Sequence, residues 1–121
     1  YNFITGGELW STNNGITWTM TISAGDPSVM VIDPLGAYAG YLYLGINHMG
    51  WTPGELWRTG DGVTFENASK PGFDLASGAA AFPNSAAAFG DHLYLGKFSW
   101  DTGGSIWRDA PFYIWMPMTL K

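Results

Sequence analysis

Cysteine is absent from the 121 residues. That excludes a disulfide framework, a thiolate metal site and a cysteine nucleophile. Charge is scarce as well, at 12% of residues, about half the ~25% of an average soluble domain. Ten acids stand against five bases, for a net charge of −5. Such a balance argues against a nucleic-acid partner and against adsorption to anionic lipid, since both need a basic surface. No apolar run reaches 18 residues, so no membrane insertion is expected; the apolar run 29–32 is strand-sized. No signal peptide is visible, and the chain starts at Tyr1 rather than Met, which makes a processed product or part of a longer chain the expectation. Helix-period stretches are also missing. The six alanines between Ala79 and Ala88 are broken up by Gly78, Pro83 and Gly90, and small residues there suit packing near a crowded axis.

What the chain does contain is turns and stiff aromatic segments: 17 Gly, 7 Pro, 7 Trp, 6 Tyr and 7 Phe. With 46% apolar residues, a core is affordable and disorder is disfavoured. The aromatics recur. Gly7-Glu8-Leu9-Trp10 aligns with Gly54-Glu55-Leu56-Trp57 and with Gly104-Ser105-Ile106-Trp107, the tryptophans lying 47 and 50 residues apart. Eight residues beyond each Trp stands a second aromatic: Trp18, Phe65 and Trp115. A second anchor, Tyr41-Leu42-Tyr43-Leu44-Gly45, matches His92-Leu93-Tyr94-Leu95-Gly96 at an offset of 51.

Each full unit reads as four short strands. Strand A is expected over 29–32 and 86–89. The Gly-containing turns Ala39-Gly40 and Gly90-Asp91 follow, suited to the positive φ of tight hairpins. Strand B, over 41–46 and 92–98, alternates with the period of a strand. Strand C covers 55–59 and 105–108. Asn14-Gly15 and Asp61-Gly62 then give the strongest short hairpin signal, and strand D carries the second aromatic. In the third copy Pro111 and Phe112 replace the Asp-Gly pair, which argues against a tight C–D hairpin there. The expected order is C-D, A-B-C-D, A-B-C-D: a half unit over 1–22 and full units over 23–68 and 69–121. Four-stranded antiparallel meanders of about 47–51 residues are the sign of β-propeller blades. The fold class expected is all-β, with about 2.5 blades. The expected core includes Leu9, Trp10, Trp18, Leu42, Leu44, Leu56, Trp57, Phe65, Leu93, Leu95, Ile106, Trp107 and Trp115.

These residues carry a resemblance. The run Ser11-x-Asn13-x-Gly15-x-Thr17-Trp18 resembles the Asp-box, or BNR, repeat Ser-x-Asp-x-Gly-x-Thr-Trp, with Asn in place of Asp. The second copy, Thr59-Gly60-Asp61-Gly62-Val63-Thr64-Phe65, resembles the variant in which Asp directly precedes Gly. The wider pattern is similar to propeller repeats of the form Leu-Tyr-x-Gly, Gly-Glu-Leu-Trp-Arg, Asp-Gly-x-Thr-Trp. The resemblance implies a propeller; such folds serve as sialidases, glucanases, sorting receptors and adhesion modules, so it leaves function open.

Two and a half blades cannot close a propeller and would leave open sheet edges and apolar faces. The expected partners are therefore further blades of the same longer chain or copies of itself. In an A-B-C-D meander the A–B and C–D turns lie at one end, and the longer B–C and D–A connections at the other. That second end carries Asn47, His48, Trp51, Trp100 and Asp101, with Asp26, Asp74 and Asn84 nearby. Aromatic plates beside hydrogen-bonding side chains suit a sugar ring, so these five form the candidate ligand site, with glycans as the ligand class. Asn67-Ala68-Ser69 is an N-glycosylation sequon, with Asn67 as acceptor. Catalytic readings are the weaker ones. A sialidase-like arginine triad is missing, because only Arg58 and Arg108 exist; their equivalent places beside Trp57 and Trp107 mark them as structural, stacked on a ring. Glu8 and Glu55 recur with the repeat and read as structural too. No spacing singles out a carboxylate pair, a metal site or a phosphate loop, so no cofactor or metal is expected. The function expected is a non-catalytic, secreted or cell-surface binding and assembly module. The alternatives are a fragment of a propeller glycoside hydrolase, or a self-assembling structural subunit of a ring or filament.

Overall fold

The computed structural model describes residues 4–50, 52–69, 81–100, 102–110 and 114–118. They form ten strands in three antiparallel sheets, with no helix among the described residues. The first sheet pairs β1 (Glu8–Ser11) with β2 (Thr19–Ser23). The second runs in chain order through β3 (Val29–Tyr38), β4 (Tyr41–His48), β5 (Glu55–Thr59) and β6 (Glu66–Asn67). The third does the same with β7 (Ala81–Phe89), β8 (His92–Ser99), β9 (Gly103–Ala110) and β10 (Ile114–Met118). Two, four and four strands in sequential order match the count expected from the sequence.

The first strands of the two four-stranded sheets are longer than the apolar runs suggest. β3 extends to Tyr38 and β7 begins at Ala81, so Asn84 lies within a strand rather than in a connection. Each contains a proline, Pro34 or Pro83, and each proline adjoins a register shift against the neighbouring strand. Both strands are sheet edges, where proline costs no ladder bond on the open side and a bulge absorbs the misfit. The A–B turns are tight, as expected. Ala39 and Gly40 both have positive φ, +50° and +80°, the pattern of a type I′ turn, whereas Gly90 alone at +59° is that of type II′.

The C–D connections depart from the two-residue turn suggested by Asn-Gly and Asp-Gly: residues 12–18 and 60–65 separate the paired strands. Even so, one register holds throughout. Trp10 pairs with Met20, Trp57 with Asn67, and Trp107 with Pro117, each ten residues on. The third hairpin therefore forms despite Pro111 and Phe112, which lie outside the described residues.

The sheets stack face to face. Alternation along β4 divides its side chains between two cores. Leu42, Leu44 and Ile46, with Val29, Ile32, Trp57 and Phe65, meet Leu9 and Ile22 of the first sheet. Tyr41, Tyr43, Leu56 and Tyr38 point the other way and meet Leu93, Leu95 and Trp107 of the third. Call the side towards the preceding sheet the front and the other the back. Gly45 of β4 lets the second contact close: a Cβ there would stand 2.6 Å from the carbonyl oxygen of Pro83 in β7. The Tyr38 hydroxyl also donates to the carbonyl of Asp91 in the β7–β8 turn.

Three expected core residues are exposed. Trp10 is 48%, Trp18 56% and Ile106 37% accessible. Trp10 and Trp18 belong to the front of the first sheet and Ile106 to the back of the third, and no described sheet covers either face. The side chain of Trp115 lies outside the described residues.

Candidate binding surfaces and the residues that build them

The C–D turns repeat one hydrogen-bond pattern. In the second sheet the Thr59 hydroxyl accepts from the amide of Gly62 at 2.9 Å, and the Asp61 carboxylate accepts from the amides of Val63 and Thr64 at 2.8 and 2.7 Å. In the first sheet Thr12 accepts from Gly15 at 3.0 Å, and Asn14 accepts from Ile16 and Thr17, both at 2.8 Å. The residue directly before glycine is thus the acceptor in both turns. Asn13, aligned above with the Asp of the box, is exposed and is not among these acceptors. Two amide donors hold the Asp61 carboxyl down at about 2, below the usual 3.8. These bonds are all local, and they fix the turn.

The Glu-Leu-Trp motif also has a physical reading that the sequence left unstated. Residues two apart on a strand share a face, and the residue before each Leu or Ile accepts from the indole N–H two places on. Glu8 serves Trp10 at 3.1 Å, Glu55 serves Trp57 at 2.6 Å, and Ser105 serves Trp107 at 3.0 Å. Glu55 therefore pins a ring that packs on the sheet in front, and Glu8 holds the exposed counterpart of that ring on the first sheet. Arg58 lies 4.3 Å from the centre of the Tyr41 ring and pairs with Glu66 across the strand at 2.6 Å, so it is the stacked arginine expected. Partial burial opposes its charge, yet the hydrogen bonds to Glu66 and Tyr43 outweigh burial and raise its pKa. Arg108 has Met116 in the position of Glu66, and its buried Nε makes no hydrogen bond.

The candidate ligand residues are not brought into one cluster by any described contact. Asn47 and His48 end β4, and Trp100 directly follows β8, at the same end of adjacent sheets. Each keeps to its own surroundings. Asn47 donates to Asp33 at 3.5 Å, while its buried Oδ1 has no partner. His48 lines a cleft of about 320 Å³ between the first two sheets, together with Glu55, Trp57, Phe65, Ile22 and Ile46. Trp100 is 69% exposed and meets the Phe98 ring edge-on at 4.9 Å. Trp51, Asp101 and Asp74 lie outside the described residues. Asp26 accepts from the Ser28 amide at 2.8 Å, and that bond lowers its pKa. His92, which opens β8, sits 3.2 Å from Asp109. No group of three metal-ligating side chains occurs among the described residues.

The sequon is ordered at its acceptor. Asn67 is exposed on the short edge strand β6, and its Oδ1 accepts from the Ser69 amide at 2.8 Å. The Ser69 hydroxyl accepts from the Leu56 amide at 2.9 Å, which ties the end of the sheet to β5.

No family model, no curated protein and no solved structure matches the chain.

Proposed function

We propose that the chain is a non-catalytic binding and assembly module made of propeller-type blades, carried outside the cell or on its surface. The second and third sheets are two full blades and the first is strands C and D of another. One observation carries this reading: side chains at equivalent places face the same way in every sheet, with Trp of strand C forward and Leu or Ile of strand C backward. Burial follows the neighbours. Trp107, with a sheet in front of it, is 8% accessible, and Trp10, with none, is 48%. Leu56, with a sheet behind it, is fully buried, and Ile106, with none, is not. The Asp-box-like turns support the reading through their shared hydrogen bonds. Iodide quenching of chains reduced to one tryptophan tests it. At a concentration where the chain is monomeric, Trp107 is expected to be shielded and Trp10 quenched; equal quenching would remove the blade reading. On a panel of glycosides the chain is expected to release no sugar, and turnover of any member would restore the hydrolase alternative.

A second reading, glycan recognition at the B–C end, is favoured by the Trp100 indole, which stands open on the edge of Phe98. Screening on immobilised glycans should then show binding that Trp100→Ala abolishes. Binding unchanged by that substitution would end it.

A further inference from the structure

Two faces that no described sheet covers repeat positions from contacts that the molecule already makes within itself. The back of the second sheet covers the front of the third with Tyr38, Tyr43 and Leu56. The equivalent positions on the back of the third sheet are Phe89, Tyr94 and Ile106, and here Phe89 is 77% and Ile106 37% exposed. The front thus covered is built by Leu93, Leu95 and Trp107, with Ala86 of β7 packed against them; of these only Trp107 has a counterpart on the two-stranded first sheet. The equivalent front on the first sheet carries Trp10, beside it Met20 across the strand pair, and Trp18 at the place of Phe65; these three are 47–56% exposed. We infer that a second copy of this chain is the occupant: the front of its first sheet docks on the back of the third sheet of its neighbour, continuing the stack head to tail. The inference rests on the blade reading above.

Three features favour this occupant over an unrelated protein. Both surfaces are aromatic, as the centres of specific interfaces are. Each surface repeats residue positions from contacts the sheets already make: the back those of Tyr38, Tyr43 and Leu56 against the third sheet, the front those of Trp57 and Phe65 against the first. The two surfaces also differ from one another, so the contact is heterologous, and copies add in one direction until the rotation closes a ring or a filament grows. A symmetric dimer would need one face to match itself.

Complementary variants test this directly. Trp10→Glu with Trp18→Glu disables the front, and Phe89→Lys with Ile106→Lys disables the back. All four side chains are exposed in the single chain, so the fold should survive, and circular dichroism checks it. In sedimentation velocity the unaltered chain is expected to grow in mass with concentration. Each double variant alone should stay monomeric, its association weakened by more than about tenfold. An equimolar mixture should form a dimer and stop there, because one intact back meets one intact front and no free pair remains. Three results would overturn the inference: an unaltered chain that is monomeric at every concentration, a variant that still self-associates, or a mixture that forms no dimer. Failure here is separable from failure of the blade reading. If only the pairing of copies is wrong, Trp107 stays shielded from iodide in the monomer; if stacking itself is wrong, Trp107 is quenched as readily as Trp10.

Discussion

Single residues decide the turns of this protein. Ala39 occupies the left-handed region at φ +50°, where an L side chain crowds the carbonyl that follows. Glycine has no such penalty. Ala39→Gly is therefore expected to stabilise the chain by about 1 kcal/mol, seen as a higher denaturant midpoint at unchanged slope; a lower midpoint would refute the type I′ assignment. Asp61 shows a different kind of control. Its carboxyl is held at about 2 by the amides of Thr64 and Val63, against 3.8 when free. A depressed carboxyl pKa contributes stability that is complete above the free value and drains away as pH falls towards the folded one. Asp61→Asn keeps both acceptor bonds, as Asn14 already does in the first turn. It should leave the melting temperature near neutrality almost unchanged and flatten its fall between about pH 4 and pH 2. An equally steep fall in the variant would place the acid sensitivity elsewhere. Asx turns of this kind are legible in sequence, since Thr-x-Asn/Asp-Gly names acceptor and hinge together. Which of Asn13 and Asn14 would accept was not, because the choice depends on backbone direction within the loop.

At the level of strands, alternation fixes what each face meets. The period-two pattern of β4 and β8 could be read directly, as could the order of two, four and four strands. Strands β3 and β7 were under-read, because Pro34, Gly36 and Pro83 look like breaks; their edge position and the adjoining bulges remove that objection only once the pairing is known. The sheet contact tests the same logic through Gly45 and Gly96, equivalent positions with different neighbours. A methyl at Gly45 meets the Pro83 backbone at 2.6 Å, while at Gly96 it meets the Ser85 hydroxyl at 2.2 Å. A backbone cannot move aside without parting the sheets, whereas a serine rotates. Gly45→Ala should cost at least about 2 kcal/mol and Gly96→Ala clearly less, measured by urea unfolding. Equal costs would mean that the second and third sheets are not in close contact at β7.

Across the whole molecule, the repeat poses the same chemistry in three settings, and the settings determine the energies. The sequence showed equivalent tryptophans and implied open apolar faces, but it did not tell that Trp10, Trp18 and Ile106 would stand on faces that no described sheet covers, because facing depends on which sheet stands next to which. The same limit applies to the candidate ligand residues: Asn47, His48 and Trp100 are at the expected end of their sheets, yet His48 belongs to the cleft beside Trp57 and Trp100 to the Phe98 edge. Truncating the three tryptophans turns this into a ranking. Trp107→Ala removes a ring that is 8% accessible and should cost about 3–5 kcal/mol, with the cavity included. Trp57→Ala, half-buried against the smaller first sheet, should cost less. Trp10→Ala, at 48% accessibility, should cost under about 1 kcal/mol in the monomer, since it leaves surface that water already reaches. Guanidinium unfolding of the three variants at a concentration where the chain is monomeric measures the order. Were Trp10→Ala as costly as Trp107→Ala, the front of the first sheet would have to be covered within the chain itself, and neither the assignment of faces nor the head-to-tail contact built on it could stand.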